Sequence, residues 1–404
     1  MSAFEPLLLT TPSLTPALAL EVIPHGLTFH RLILQVSGRT HDVLVGPEAP
    51  EGHLKMKYTN TIIGRFANRI PVGSHEIAEG VVFEAKANEN PRVSLHGGPT
   101  GYDSVEWKLI DKPTLFSDTE VASVPSSGAQ FFSYTSPSGD QGYPGTLLVE
   151  VLVALVSPVE QERKYDDAKG KEFELGSLVY VYRAKLVEGK VTPVNLTQHW
   201  GFNLTASLPS KELSVKEHTL LLKADRLVDR DADSLRVGIS KVPTEHDHSK
   251  GKKIGDGYPD AGYDDYYVFA DRDIKQPKTF AASSLSSADY LKEILKPGAV
   301  STEDTVTELA SDTSGIRLSF DTNQGGAMFY SNTLSKASGS ARKKIHGGSG
   351  GFEAGDGYEP GTAAFLEFHD PLWEAGEIKQ GKGLLKEGEV YNNYVKMSVR
   401  FREV

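Results

Sequence analysis

Five short stretches of the chain carry side chains able to do chemistry on a polar ligand. In AAFLEFHDPLWEA (363–375), strand alternation puts Phe365, Glu367 and His369 on one face and Leu366, Phe368 and Asp370 on the other, before Pro371 ends the run. A carboxylate between Leu and Phe is costly to bury unpaired. That setting raises its pKa and suits Glu367 to work as a general base. In NLTQHWGFNLTASL (195–208), His199 shares a face with Asn195, Thr197, Gly201 and Asn203. Leu196, Trp200, Phe202 and Leu204, interrupted only by Gln198, form the opposite face. An imidazole among amides and hydroxyls reads either as an acid or base lining a polar pocket or as a satisfied polar group within a sheet. The strand alone leaves both open.

The other three stretches are suited to holding a ligand rather than reacting with it. TIIGRFANRI (61–70) offers Asn68 and Arg69, an amide and a planar donor fork that matches hydroxyls or acids. Its structural alternative is a loop stapled by an Arg–carboxylate pair. SLHGG (94–98) sets His96 before a double glycine that would let backbone approach a ligand closely, although histidines are common in turns. AGYDDYYVF (261–269) sets Asp264 and Asp265 beside three tyrosines. Carboxylates accept from hydroxyls and aromatic faces cover the C–H side of a sugar ring, but a solvated turn has the same composition.

The elements that must position these residues are mostly strands. LTFHRLILQV (27–36), TLLVEVLVALV (146–156), SLVYVYRAKLV (177–187), LSVKEHTLLLKA (213–224), IRLSFDT (316–322) and YVKMSVRFREV (394–404) are rich in β-branched and aromatic residues with partial alternation. Gly at 39 positions and Pro at 22 punctuate them. The best amphipathic helix candidate is ASSLSSADYLKEIL (282–295). Many strands, few helices and no repeat of 20–50 residues predict a large antiparallel sandwich rather than a propeller or solenoid. Residues 160–174 read as a charged hairpin extension, and 244–262 and 335–361 as long Gly-rich insertions. The last precedes the Glu367 strand, which makes it either a lid or a surface excursion.

Composition narrows the function classes. The 404 residues are 39% hydrophobic and 24% charged, as in ordinary globular chains. With 43 Lys plus Arg against 54 Asp plus Glu, the net charge of −11 disfavours nucleic-acid or anionic-membrane partners. The basic clusters KGKK and ARKKIH (341–346) read as solvated surface. Zero cysteines exclude disulfides, thiolate nucleophiles, zinc–thiolate sites and iron–sulfur clusters. No run reaches the ~20 apolar residues of a transmembrane helix, and the first residues lack a basic signal-peptide region, so a cytoplasmic protein is expected. The Asn195 and Asn203 glycosylation triplets lie within a strand and read as accidents of composition.

Taken in order, GRFANRI, LHGG, GDQGYPG (139–145), TPVNLTQHWGFNL, YDDYYVF, FLEFHDPLWEA and the closing GEVYNNYVKMSVRF resemble the successive signature segments of the aldose 1-epimerase (galactose mutarotase) family. The resemblance runs from about residue 20 to the C-terminus. It implies an all-β, large antiparallel β-supersandwich with few short helices. It also implies one domain over residues 1–404, with 1–19 as an N-terminal extension and 335–361 as an insertion. The implied substrate is an aldohexose such as glucose or galactose, with no cofactor and no metal, in a monomer or homodimer. Carried over by motif, Glu367 is the base acting on the anomeric hydroxyl and His199 the acid at the ring oxygen. Asn68, Arg69, His96 and Asp264 hold hydroxyls, with His96 also at the C1 oxygen. Departures lie at Gln198 and Trp200–Gly201 around the histidine, at Met328 where the family often has a sugar-contacting Gln, and at Asp265 where a His is common. They make the shell around the sugar, Trp200–Gly201 above all, the expected place of altered specificity. Alternatives are a hexose-6-phosphate epimerase, for which Arg65, Arg69 and Arg92 are the arginines near the motifs, and a non-catalytic carbohydrate-binding protein of the same fold. An inverting glycosidase would need two carboxylates about 6.5–9.5 Å apart.

Overall fold

The apolar runs become strands because alternation and β-branched side chains let each bury one face against another sheet. In the computed structural model, which describes residues 2–13, 15–159, 172–209 and 213–404, two large antiparallel sheets stack face to face. The larger sheet runs outward from the long central strands Thr146–Val156, Glu172–Glu188 and Glu389–Arg402. The smaller has six strands in the order Trp200–Phe202, Ala364–His369, Gly326–Tyr330, Asp264–Phe269, Ala224–Arg230 and Arg236–Lys241. Aromatic rings join the facing surfaces: Trp200 meets Tyr180 at 5.3 Å and Phe320 at 5.7 Å, and Phe320 meets Phe368 at 5.1 Å. This interleaving of apolar faces is what holds two such sheets about 10 Å apart.

The N-terminal residues are integrated by pairing. Leu7–Thr10 adds to Leu18–Ile23, which pairs with Thr28–Val36 and then Arg39–Asp42. No helix among the described residues is long and apolar enough to cross a membrane.

Several local expectations change. The 282–295 stretch is a 3-10 turn over Ala282–Ser287 and one α-turn over Leu291–Ile294, because Ser-rich sequence offers the backbone competing side-chain hydrogen bonds. The strand expected over 213–224 begins at Thr219. Residues 160–171 of the expected hairpin extension lie outside the described residues; the flanking strands pair antiparallel from Val156↔Ser177 onward. Asn195 and Asn203 are buried, as their place within the sheet predicts.

ARKKIH is not a solvated run. The Lys343 ammonium is fully buried, donating to Asp42 Oδ2 at 2.7 Å and to the His30 and Leu44 carbonyls at 2.6 and 2.9 Å. His346, also buried, bridges Tyr358 Oη and the Asp42 carbonyl, each at 2.7 Å. The 335–361 insertion is thereby anchored to the strand Arg39–Asp42.

Candidate active site

The outer face of the six-stranded sheet carries the candidate site. Alternation along Ala364–His369 sends Leu366 and Phe368 into the core and Phe365 and Glu367 toward a cavity of about 560 Å³. Opposite Glu367 in register stands Met328, and opposite Phe365 stands Gly201. A Cβ on Gly201 would sit 2.5 Å from the Phe365 ring, so glycine there makes room for the aromatic wall. Trp200 is fully buried among Phe29, Tyr180 and Phe202, on the core side. The expectation that Trp200 shapes specificity is therefore corrected: a side chain one residue from His199 points to the opposite face.

The histidine stretch is also not one strand. Thr197–Gln198 pairs with Ile62–Ile63 and Trp200–Phe202 pairs with Leu366 to Ala364, so the chain changes partner at His199. The change of partner brings the imidazole over the Glu367 strand. His199 Nε2 lies 3.2 Å from Glu367 Oε1, and its ring packs 5.0 Å from Phe365. Gln198 faces inward, taking a hydrogen bond from Tyr182 Oη at 2.6 Å.

The hydroxyl-holding candidates arrive by two turns. Phe66 anchors in an apolar cluster with Ile70, Phe83 and Trp373. Asn68, at φ 66°, then reverses the chain, and its Oδ1 accepts the Arg69 N–H at 3.0 Å. Arg69–Pro71 pairs with Val93–Leu95, which sets His96 beside Asn68. Gly97, at φ 88°, packs on the Gly64 carbonyl so closely that a Cβ would fall 1.9 Å from that oxygen. Only glycine fits this closure. The Asn68 N–H donates to His96 Nδ1 at 3.3 Å, which leaves Nε2 as the protonated, donating nitrogen of a neutral imidazole. The His96 and His199 rings stand edge-on at 5.2 Å.

Arg69 is a cavity residue and a stapled one together. Its Nε and Nη2 form a fork on Glu89 at 2.7 and 2.8 Å, and its Nη1 lies 3.8 Å from Asp264 Oδ2. Arg65 is a structural staple, buried and bound to Ser136, Thr192 and the Pro144 carbonyl. Arg92 pairs with Asp233 at the surface. Asp264 lines the cavity; its neighbour Asp265 turns the other way, toward His246 at 3.2 Å. Glu89 and Tyr58 line the cavity without having been singled out from sequence. Glu89 has a signal in hindsight, since a cavity-facing guanidinium needs a carboxylate within reach. The insertion contributes Ser335, Lys336 and Tyr358 to the wall.

Burial dominates the electrostatics. Desolvation pushes Glu367 up to about 8, with Asp264 adding to the rise and Arg69 opposing it. Desolvation lowers His199 to about 4, and holds His96 well below its ordinary range with help from His199 and Arg69. The His199–Glu367 pair therefore carries a single proton across near-neutral pH, with burial favouring the uncharged arrangement in which the carboxyl holds it. The two groups stand in contact at 3.2 Å, so the other arrangement of the same proton is a carboxylate beside an imidazolium. Among the described residues, His96, His199 and Glu367 form the one group with donor atoms within 4.8 Å that could hold a cation. The Asn68 N–H on His96 Nδ1 works against this, because it commits Nε2 to a proton rather than a lone pair.

Comparison with known proteins is consistent along most of the chain. The sequence model of the family described as aldose 1-epimerase matches residues 15–160 and 172–398. Human galactose mutarotase is 32% identical over 223 residues, 55% of this chain and 54% of that protein. Aldose 1-epimerase of Escherichia coli K12 is 28% identical over 221 residues, 54% and 53% of the two chains. The chain thus spans about half the length of these curated relatives in the matched segments. The crystal structure of a GalM/aldose epimerase homologue from C. elegans superposes with a TM-score of 0.70 at 18% identity, covering 99% of this chain and 100% of that one. Galactose 1-epimerase from Lactobacillus acidophilus NCFM gives 0.66 at 16% identity, with 99% and 100% covered. These two likenesses are of fold.

Proposed function

The chain belongs to the aldose 1-epimerase family, and from that premise we propose that it interconverts the α and β anomers of an aldohexose such as glucose or galactose. The observation that carries this reading is the buried His199–Glu367 contact at 3.2 Å in the wall of the cavity. One shared proton is the requirement of a reaction that removes a proton from one oxygen and adds one to another.

The cycle closes on that proton. With it on His199, the Glu367 carboxylate takes the hydrogen of the anomeric hydroxyl while His199 protonates the ring oxygen. The C1–O5 bond breaks and the open-chain aldehyde forms. The proton on the pair is now on Glu367, the arrangement that burial favours. C1 rotates about its bond to C2, and O5 attacks C1 from the other face. His199 takes the O5 hydrogen and Glu367 returns its own to O1. His96 Nε2–H stands beside the pair to donate to O1 as charge develops there. Asn68, Arg69 and Asp264 are our candidates for the ring hydroxyls.

Lys55, Lys57 and Lys336 also line the cavity, an arrangement that favours a second reading in which the sugar carries a 6-phosphate. Polarimetry on freshly dissolved α-glucose, α-galactose and their 6-phosphates tests both. Acceleration on the free sugars supports the first reading, and acceleration confined to the phosphates supports the second. Spontaneous rates on all four would sink both.

A further inference from the structure

Asp264 is held from behind. Arg230 closes the strand Ala224–Arg230, one strand beyond Asp264–Phe269 from the cavity, and its side chain is only 15% exposed. Its Nη1 donates to Asp264 Oδ2 at 3.1 Å, its Nη2 donates to the Asp264 main-chain carbonyl, and the same guanidinium faces Asp265 Oδ1 at 3.8 Å. Arg69 approaches the same Oδ2 from the other side at 3.8 Å. Both cations therefore fall on Oδ2, and Oδ1 has no partner among the described residues. A carboxylate with one oxygen pinned and the other free presents a single oriented acceptor.

The pinning is specific to Arg230. Arg69 has its fork committed to Glu89, so its remaining nitrogen is a weaker and more distant hold. Arg236, the residue paired with Arg230 in register, is taken by Glu377 at 2.9 Å and by the Leu372 carbonyl. Asp265 in turn is held by His246 from the 244–262 insertion. The result is an alternating chain, Glu89–Arg69–Asp264–Arg230–Asp265–His246, running from the cavity into the insertion.

We propose that Arg230 is a positioning residue for the epimerase reaction: it fixes the Asp264 carboxylate so that Oδ1 faces the sugar, and it offsets the Asp264 charge that acts on Glu367. The inference rests on the function proposed above. The charged and titratable groups facing Glu367 are His199 and His96, Arg69 and Asp264, and His369 on its own strand. Of these only Asp264 is negative, so a change in its neutralisation reaches the catalytic pair directly.

Two variants test this, Arg230→Met and Arg230→Lys, in polarimetric assays over pH with thermal unfolding alongside. Loss of the guanidinium lets the Asp264 carboxylate rotate toward Arg69. The expected result for Arg230→Met is a rise in KM of about tenfold, the scale of one oriented hydrogen bond to a charged group, with kcat changed less than threefold. The alkaline limit of the rate should also move upward, because a less neutralised Asp264 holds the proton on Glu367 more tightly. Arg230→Lys keeps the charge but not the second bond to the carbonyl, and should recover part of the KM and most of the pH limit. A role only in bracing the fold predicts a lower unfolding temperature with unchanged KM and pH limit in the folded enzyme, and that result overturns the proposal. If Arg230→Met does not fold, an Arg230→Lys variant with wild-type KM and pH limit overturns it as well. An inactive wild type would instead remove the proposed function, and this inference with it.

Discussion

Replacing Glu367 with Gln should make the protein more stable, and increasingly so as pH rises. In the folded chain burial lifts the carboxyl from 4.5 to about 8. The unfolded chain, whose carboxyl titrates in the ordinary range, releases its proton more than three pH units earlier. A raised carboxyl is thus a cost to folding that is absent below the unfolded pKa, grows through neutral pH and levels off above the folded one. Each unit of difference is worth 1.36 kcal/mol, so the wild type should lose roughly 3 kcal/mol relative to Glu367→Gln between about pH 5 and pH 8. Glutamine is isosteric and its amide can donate to His199 Nε2, so packing is preserved and other titrating groups cancel in the difference. Urea unfolding of both proteins at several pH values measures it directly. A stability difference that does not change with pH would refute the reasoning. So would a wild type that gains on the variant between pH 4 and 6, the sign expected of a carboxylate already ionised against an imidazolium.

Three further outcomes follow from the same geometry. The rate constant kcat/KM should be bell-shaped, with limits near 4 and 8 that belong to the His199–Glu367 pair: below the first the pair has no base, above the second no acid, and initial rates across pH test it. Lys343→Met leaves the buried Asp42 carboxylate with Arg31 at 3.4 Å as its remaining cation, beside the Leu32 and Leu44 N–H groups on Oδ1, so it should cost about 3 kcal/mol in chemical denaturation and raise KM by loosening the cavity wall. Gly97→Ala drives a methyl into the Gly64 carbonyl at positive φ; it should lower both the unfolding midpoint and kcat by shifting His96, whereas an unchanged kcat would separate His96 from the chemistry.

The residues that were legible in the sequence are those whose meaning is local. Alternation alone separated Phe365 and Glu367 from Leu366 and Phe368, because a strand with core on one side and cavity on the other keeps its period. The same rule groups His199 with Asn195 and Gly201 and sets Trp200 on the opposite, apolar face, where it is buried in the core. What stayed hidden depends on partners far along the chain. Lys343 reads as one more solvated cation until Asp42, 301 residues away, comes within 2.7 Å. The break at His199 is invisible to alternation, since it arises from two different pairing partners, Ile62–Ile63 and the Glu367 strand. Arg230 lies in ADRLVDR, an unremarked amphipathic strand, and acquires meaning only when Asp264 is placed beside it.

The central claim is that His199 and Glu367 share the proton that opens and closes the ring. The most direct test is the relaxation of α-galactose and α-glucose, followed by polarimetry with wild type, Glu367→Gln and His199→Asn at equal folded concentrations. Acceleration by the wild type is expected, with a loss of ~10²-fold or more in each variant, the scale of a positioned acid or base. A variant that retains most of the wild-type rate would contradict it.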